Sequence, residues 1–228
     1  MASSEDNQLA GSFTDLMTSL AVIFILLLCV SHNAAQQEGE NTRDNILYEL
    51  KKELKEFAGR GVKVQPDPND PLGLLILVPE GLLEFKIDSA VIPPKGVDFL
   101  QPFIPKLAKI VCDKRFKDEI NSIVVEGHTD STGSDQHNWE LSQKRSMSVV
   151  DETLRILDQT KNDKNMRGDF VRFISASGRG SAELIKDNGI ENYGQSRRVV
   201  FKIRVRSLEQ RSYKKEGDFL KEIPSKKS

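Results

Sequence analysis

The sequence predicts an α+β protein in three parts. These are one membrane-spanning helix near the N-terminus, a linker with a short amphipathic helix, and a βαβαβ α/β sandwich domain with its helices on one sheet face. Three observations predict it. The run Leu9 to Val30 has the roughly 20 mostly apolar residues that a spanning helix needs, with Asp15 as its only charge. Between residues 71 and 206, short apolar runs bounded by turn residues alternate with stretches of helical period. The length of 228 residues, 38% hydrophobic and 29% charged, leaves room for the anchor and one soluble domain of ordinary size.

Residues 1–8 form a short tail, "MASSEDNQ", with Glu5 and Asp6 and no Lys or Arg. A secretory signal begins with positive charge, and a lipoprotein signal places a small residue before its cysteine, where Leu28 precedes Cys29. A retained anchor over residues 9–30 is therefore expected. In it Asp15, Thr18, Ser19 and Val22 make a narrow small and polar stripe, flanked by Phe13, Leu16, Met17 and Leu20. A carboxylate inside a spanning helix is costly and calls for a partner or a water-lined path, or must reach the headgroups from near the helix end. Flanking charge does not orient the helix, because the first basic residue is Arg43.

The linker covers residues 31–70. After the polar "SHNAAQQEGENTRDN" come Leu47, Leu50, Leu54 and Phe57 at 3, 4, 3 spacing, ending at Gly59 and Gly61. This seam suits equally a helix lying on its own domain and a dimer stalk. "QPDPNDP" reads as a turn-rich connector. "LGLLILVP" and "GLLEFKI" read as strands around a turn at Pro79, Glu80 and Gly81. From Lys95 to Phe116 the helical spacing of Phe99, Phe103, Leu107 and Ile110 predicts a helix, with Pro102 and Pro105 implying a later start or a kinked first turn. "SIVVEGHTD" is a buried strand running into a turn. A helix follows, capped by Ser134 or Asp135, through "WELSQKRSMSVVDETLRIL". "KNDKNMRGD" is a loop, "FVRFISASG" a strand, "RGSAELIKDNGIENYGQS" a polar loop and "RRVVFKIRV" the last strand. Residues 207–228 read as a charged, flexible tail.

The candidate site lies in "VEGHTDSTGSDQHNWELSQKRSMSVV". Thr129 and Asp130 leave the strand end in a Gly-bearing turn, and Asn138, Leu141 and Arg145 share one side of the next helix. An acid and a guanidinium facing one pocket suit a zwitterion, the carboxylate accepting from an ammonium and the planar fork gripping a carboxylate. The same spacing allows Asp130 and Arg145 simply to pair with each other.

"GHTDSTGSDQHNWELSQKRS" resembles the OmpA-like peptidoglycan-binding motif, a Thr-Asp pair followed by Asn-x-x-Leu-Ser-x-x-Arg, and "SRRVVFKIRV" resembles that family's closing strand. The likeness spans Leu82 to Arg206. It implies that Asp130 and Arg145 hold the diaminopimelate of a peptide stem, and that Thr129, Asn138, Arg197 and Arg198 shape the site. Ser146 departs from the usual Ala after the motif Arg and alters packing on the helix only. The resemblance places everything after Val30 in the periplasm and the N-terminus in the cytoplasm, a single pass of a bacterial inner membrane.

"FTDLMTSL" opening a single anchor before such a domain resembles the flagellar stator subunit MotB and its relative ZorB of the Zorya anti-phage system, with the lean toward ZorB because the cytoplasmic tail lacks basic residues. That resemblance implies an ion-translocating Asp15 served by Thr18 and Ser19, cyclic protonation, and a homodimer inside a ring of about five MotA-like or ZorA-like subunits. A passive membrane-to-wall tether is the main alternative.

Net charge is −1 with a pI near 6.4, so the electrostatic case for nucleic acid is weak. Two cysteines, Cys29 and Cys112, support neither a disulfide framework nor a Cys-based zinc site. His32, His128 and His137 lack metal-ligand spacing, and no G-x-S-x-G elbow occurs. The sequence thus predicts no enzyme, no cofactor and no metal.

Overall fold

In the computed structural model the described residues are 2–83, 85–160, 164–207 and 210–211. The first helix, α1, runs unbroken over Ala2–Glu53, 52 residues or roughly 78 Å. It absorbs the anchor and the polar stretch after it, which the sequence reading treats as linker. That stretch holds no Pro and only Gly39 as a helix breaker. Gly39 is also where α1 meets the domain, since an added Cβ would stand 2.7 Å from Leu72 Cδ2. The section from Phe13 onward is long and apolar enough to cross a membrane.

The chain bends at Leu54 into a one-turn helix, α2 (Lys55–Ala58), and turns back at Gly61, whose φ of 94° suits glycine. Ile46, Leu50, Leu54 and Phe57 are all buried in the domain core. Of the two readings of the seam, the helix lying on its own domain is the one observed. Phe57 meets Phe99 and Phe103 edge-on at 5.7 and 5.4 Å.

Strand β1 (Lys63–Pro66) takes the first residues of the expected connector and pairs antiparallel with β2 (Gly73–Pro79). As an edge strand it tolerates Pro66. The turn between them is held by Asp67 and Asp70, whose side chains accept from the backbone N–H groups of Asn69 and Leu72. "GLLEFKI" is not a strand. Its first residues form a one-turn helix, α3 (Glu80–Leu83), and residues 85–93 continue without a strand. Leu83 is buried in the core, so the segment dives under the helices instead of extending the sheet edge.

Helix α4 (Pro94–Val111) opens with Pro94 in its first turn and runs through Pro102 and Pro105. Each proline removes a helical donor. The burial of Phe99, Leu100, Phe103, Ile104 and Leu107 along one side offsets that cost. Strand β3 (Ile120–His128) leads into α5 (Asp135–Gln159), where Ser134 is the cap and accepts from the His137 N–H. A helix, α6 (Lys164–Val171), takes most of the expected loop and the first two residues of the expected strand, which therefore starts later, at Ile174. Strand β4 (Ile174–Gly178) follows. The polar loop after it holds a small hairpin, β5 (Lys186–Asp187) and β6 (Ile190–Glu191), and a turn of helix, α7 (Tyr193–Ser196). The last strand, β7 (Arg198–Val205), slots between β2 and β3, giving the order β1-β2-β7-β3-β4 with only β3 and β4 parallel. Nearly all of the expected 207–228 tail lies outside the described residues.

Leu74, Ile76 and Val78 of β2, Phe201 and Ile203 of β7, and Ile123 and Val125 of β3 face the helices and are buried. Truncating Phe57 to Ala is expected to destabilise the detergent-solubilised chain by about 3–5 kcal/mol in chemical unfolding, whereas Tyr48→Ala, on the exposed side of α1, changes stability by less than about 0.5 kcal/mol.

Candidate functional site: an ionic pocket at the strand ends

Close packing of α5 on the sheet builds the site. An added Cβ at Gly127 of β3 would stand 2.3 Å from the Ser142 carbonyl oxygen, and one at Gly178 of β4 would stand 2.6 Å from the Gln143 nitrogen. Only glycine lets the helix come this near. Two side-chain bonds then fix the approach: the Gly178 N–H donates to Gln143 Oε1 (2.6 Å) and the Gly180 N–H to Ser142 Oγ (2.9 Å). Ser146 is buried and turns its hydroxyl to the Gln143 carbonyl, so the helix accommodates it.

The result is a cleft of about 690 Å³ where β3, α5, α3 and the start of β7 meet. Asp130, Thr129, Asn138, Arg145 and Arg197 all line it. Asn138 donates to the carbonyls of Asp130 (3.3 Å) and Thr132 (2.9 Å) and so shapes the loop that presents Asp130.

Asp130 and Arg145 do not pair with each other. Asp130 Oδ2 accepts from Arg197 Nη1 at 2.6 Å, while its Oδ1 accepts from the Thr132 N–H and hydroxyl. Arg145 Nη1 lies 3.0 Å from Glu80 Oε1, and Arg197 Nε donates to Glu80 Oε2 at 2.5 Å. The charges alternate Asp130, Arg197, Glu80, Arg145. The Arg145 guanidinium also donates to the Ser89 and Lys86 carbonyls and lies 5.0 Å over the Phe85 ring. Glu80 is the residue that sequence reasoning missed. It sits in the turn after β2, and its N–H donates to the Arg197 carbonyl. The available signal was an acid at a strand end; the strand register that sets it beside Arg197 is not visible in sequence.

Arg198 is not in this pocket. Alternation along β7 sends it the other way, where it donates to the carbonyls of Glu183 and Ser196. Asp15, Thr18 and Ser19 lie far down α1, exposed in the single chain, with the Thr18 hydroxyl donating to the Thr14 carbonyl at 2.8 Å.

Burial opposes ionisation of Asp130, but the bonds from Thr132 and Arg197 outweigh it and hold the carboxyl below its ordinary value. Burial pulls the Arg145 guanidinium down and Glu80 partly offsets this, while hydrogen bonds to Asp130 and Glu80 raise Arg197. Both arginines remain charged. A guanidinium has five N–H donors, so the bonds above leave donors on each arginine, and Arg197 is the more exposed of the two. Asp130 keeps acceptor capacity beside them.

An α/β sandwich carrying an acid-and-arginine cleft at its central strand ends, held on a long apolar helix, is the class of protein defined here. The chain belongs to the OmpA family, whose model matches residues 84–198, half of its length. It is 30% identical over 108 residues to Outer membrane protein A of Klebsiella aerogenes, covering 47% of this chain and 26% of that protein. It is 40% identical over 67 residues to the Serratia marcescens protein of the same name, covering 29% and 16%. The chain thus spans about a quarter or less of these relatives' length. Among solved structures, a MotB like protein from Desulfovibrio vulgaris superposes with a TM-score of 0.51 at 19% identity, covering 75% of this chain and 96% of that one, which is a likeness of fold.

A carboxylate held below its ordinary pKa stabilises the fold fully above that value and loses the contribution as pH falls through the folded value. The stability difference between wild type and Asp130→Asn is therefore expected to be constant near neutrality and to shrink as pH falls below the ordinary aspartate value of about 3.9 in acid unfolding. Glu80→Ala leaves two cations facing each other and is expected to cost more than the ~0.2–1 kcal/mol of an exposed ion pair, read by the same unfolding assay.

Proposed function

We propose that this chain grips peptidoglycan from a membrane anchor and serves as the ion-carrying subunit of a rotary inner-membrane motor. The observation that carries the first half is that Asp130 is not used up on Arg145. It is bonded to Arg197 and lines one cleft with both guanidiniums, its carboxylate keeping acceptor capacity toward that cleft. Such a cleft suits the zwitterionic end of a diaminopimelate side chain, its ammonium on Asp130 and its carboxylate on Arg197 and Arg145. Membership of the OmpA family supports this ligand. The cell wall lies in the periplasm, so the domain is placed there, with the start of α1 in the cytoplasm and a single pass between.

The second half rests on Asp15, with Thr18 and Ser19 following it on the same side of a helix that is apolar around them. A carboxylate there can take up and release protons along a path shared with a partner helix, and the membrane potential supplies about 2.3 kcal/mol per charge per 100 mV. Two copies of the chain would sit within a ring of MotA-like or ZorA-like subunits, held still by the wall grip. Phage defence of the Zorya kind is the preferred setting, flagellar rotation the other. A passive tether is the second reading, favoured by one observation: the family match covers the domain and does not reach α1.

Pull-down of the full chain on purified sacculi tests the grip. Asp130→Ala and Arg145→Ala are expected to lose at least tenfold in retention while keeping the fold by circular dichroism; retention equal to wild type would sink the pocket assignment. Proton leak into inverted vesicles bearing the chain and its ring subunit tests the motor. Asp15→Asn keeps shape and removes the titrating proton, so leak and phage or motility phenotype should vanish with assembly intact. If both persist, the tether reading stands.

A further inference from the structure

One side-chain cluster outside the pocket has chemistry that the proposed function does not use. Glu126 and His128 alternate along β3 and so point to the sheet face away from the helices, and Glu183 comes over them from the loop after β4. One donor atom of each lies within 4.8 Å of the others. His128 is 2% exposed, yet neither of its ring nitrogens has a hydrogen-bond partner among the described residues. Its Nε2 is 3.8 Å from Glu126 Oε2, beyond hydrogen-bond reach. A buried imidazole left unsatisfied at both nitrogens is unfavourable, and it is aimed at two carboxylates.

We propose that Glu126, His128 and Glu183 bind a divalent first-row transition ion of the zinc type. One imidazole and two carboxylates, with no thiolate, suit zinc better than Mg²⁺ or Ca²⁺, which take oxygen ligands alone. Metal–ligand bonds of about 2.0–2.2 Å set donor atoms about 3.4 Å apart on a tetrahedron, so the cluster must contract by up to about 1.4 Å. His128 and Glu126 are nearly there at 3.8 Å, and Glu183, half exposed, can supply the movement.

Two cations oppose the ion. Arg198 Nη2 stands 3.7 Å from Glu183 Oε2, and Arg179 Nη2 donates to Glu183 Oε1 at 2.7 Å. Arg198 is tied to two backbone carbonyls and stays in place. Arg179 is half exposed and free to swing into solvent, so it is the group the ion displaces. The Thr129 N–H donates to the Gly180 carbonyl at 2.9 Å, so a metal here would brace the wall behind the ionic pocket without touching its ligand groups.

Calorimetric titration of zinc chloride into the tag-free, detergent-solubilised full chain tests the site. The expected result is one ion per chain, at least tenfold weaker binding in Glu183→Gln and in Glu126→Gln, and tighter binding in Arg179→Ala. His128→Ala should abolish binding; because that residue is buried and the variant could misfold, the two Glu→Gln variants decide the question. Absence of saturable binding, or binding unchanged in both Glu→Gln variants as expected of ions at exposed His32 or His137, would overturn the assignment.

Discussion

Two guanidiniums cannot share a half-buried cleft without an anion between them, and Glu80 is that anion. One of its oxygens faces Arg145 and the other Arg197, and Arg197 in turn reaches Asp130. Without it, repulsion would drive the arginines to opposite walls, and the donor groups that make the cleft selective would no longer converge. The same pairing has a consequence for any incoming carboxylate. It meets cations already partly neutralised, so affinity must come from hydrogen-bond geometry on the remaining N–H groups more than from net charge.

That geometry depends on a second constraint, the distance between α5 and the sheet. Gly127 and Gly178 remove the side chains that would stand between helix and strand backbones, and Gln143 and Ser142 turn the freed space into hydrogen bonds. Asn138 and Arg145 project from the same helix, Asp130 from the loop that Asn138 ties down. Helix, loop and strand are therefore positioned as a unit, and a shift of α5 by an added methyl would move three pocket residues together.

Much of this was legible in the sequence where the signal is local. The 3, 4, 3 spacing of Leu47, Leu50, Leu54 and Phe57, the Ser134 cap and the alternation in "RRVVFKIRV" each report a nearby neighbour. Thr129, Asp130, Asn138 and Arg145 could be grouped because they flank one turn. What failed was non-local. Whether "GLLEFKI" extends the sheet or dives beneath it depends on Leu83 finding the core, and β1 exists only because β2 offers an edge to pair with. The pairing of Asp130 depends on Arg197, 67 residues away, which is brought there because β7 just after it enters the middle of the sheet. Arg197 and Arg198 look alike in sequence, and one step of strand alternation sends one to the pocket and the other to the opposite face.

The continuity of α1 ties the two halves of the molecule together. A bilayer core takes up about 30 Å of a helix that is roughly 78 Å long, and the rest reaches the domain without a break before Leu54. At its far end Ile46 and Leu50 are in the core and Gly39 is against Leu72, so the helix is a structural member of the domain and not a tether to it. Arg211 adds a further clasp, with Nη2 donating to Thr42 Oγ1 and Nη1 to Glu38 Oε1 on α1 and its Nε 2.6 Å from Glu119 Oε2. A flexible linker would let the membrane helix rotate freely beneath a fixed domain. A helix built into the core cannot do so without breaking the packing of Ile46 and Leu50. On the proposed reading, fixing the domain to the wall therefore also fixes the azimuth of Asp15, and a partner ring turning about this chain would meet its carboxylate at a constant angle.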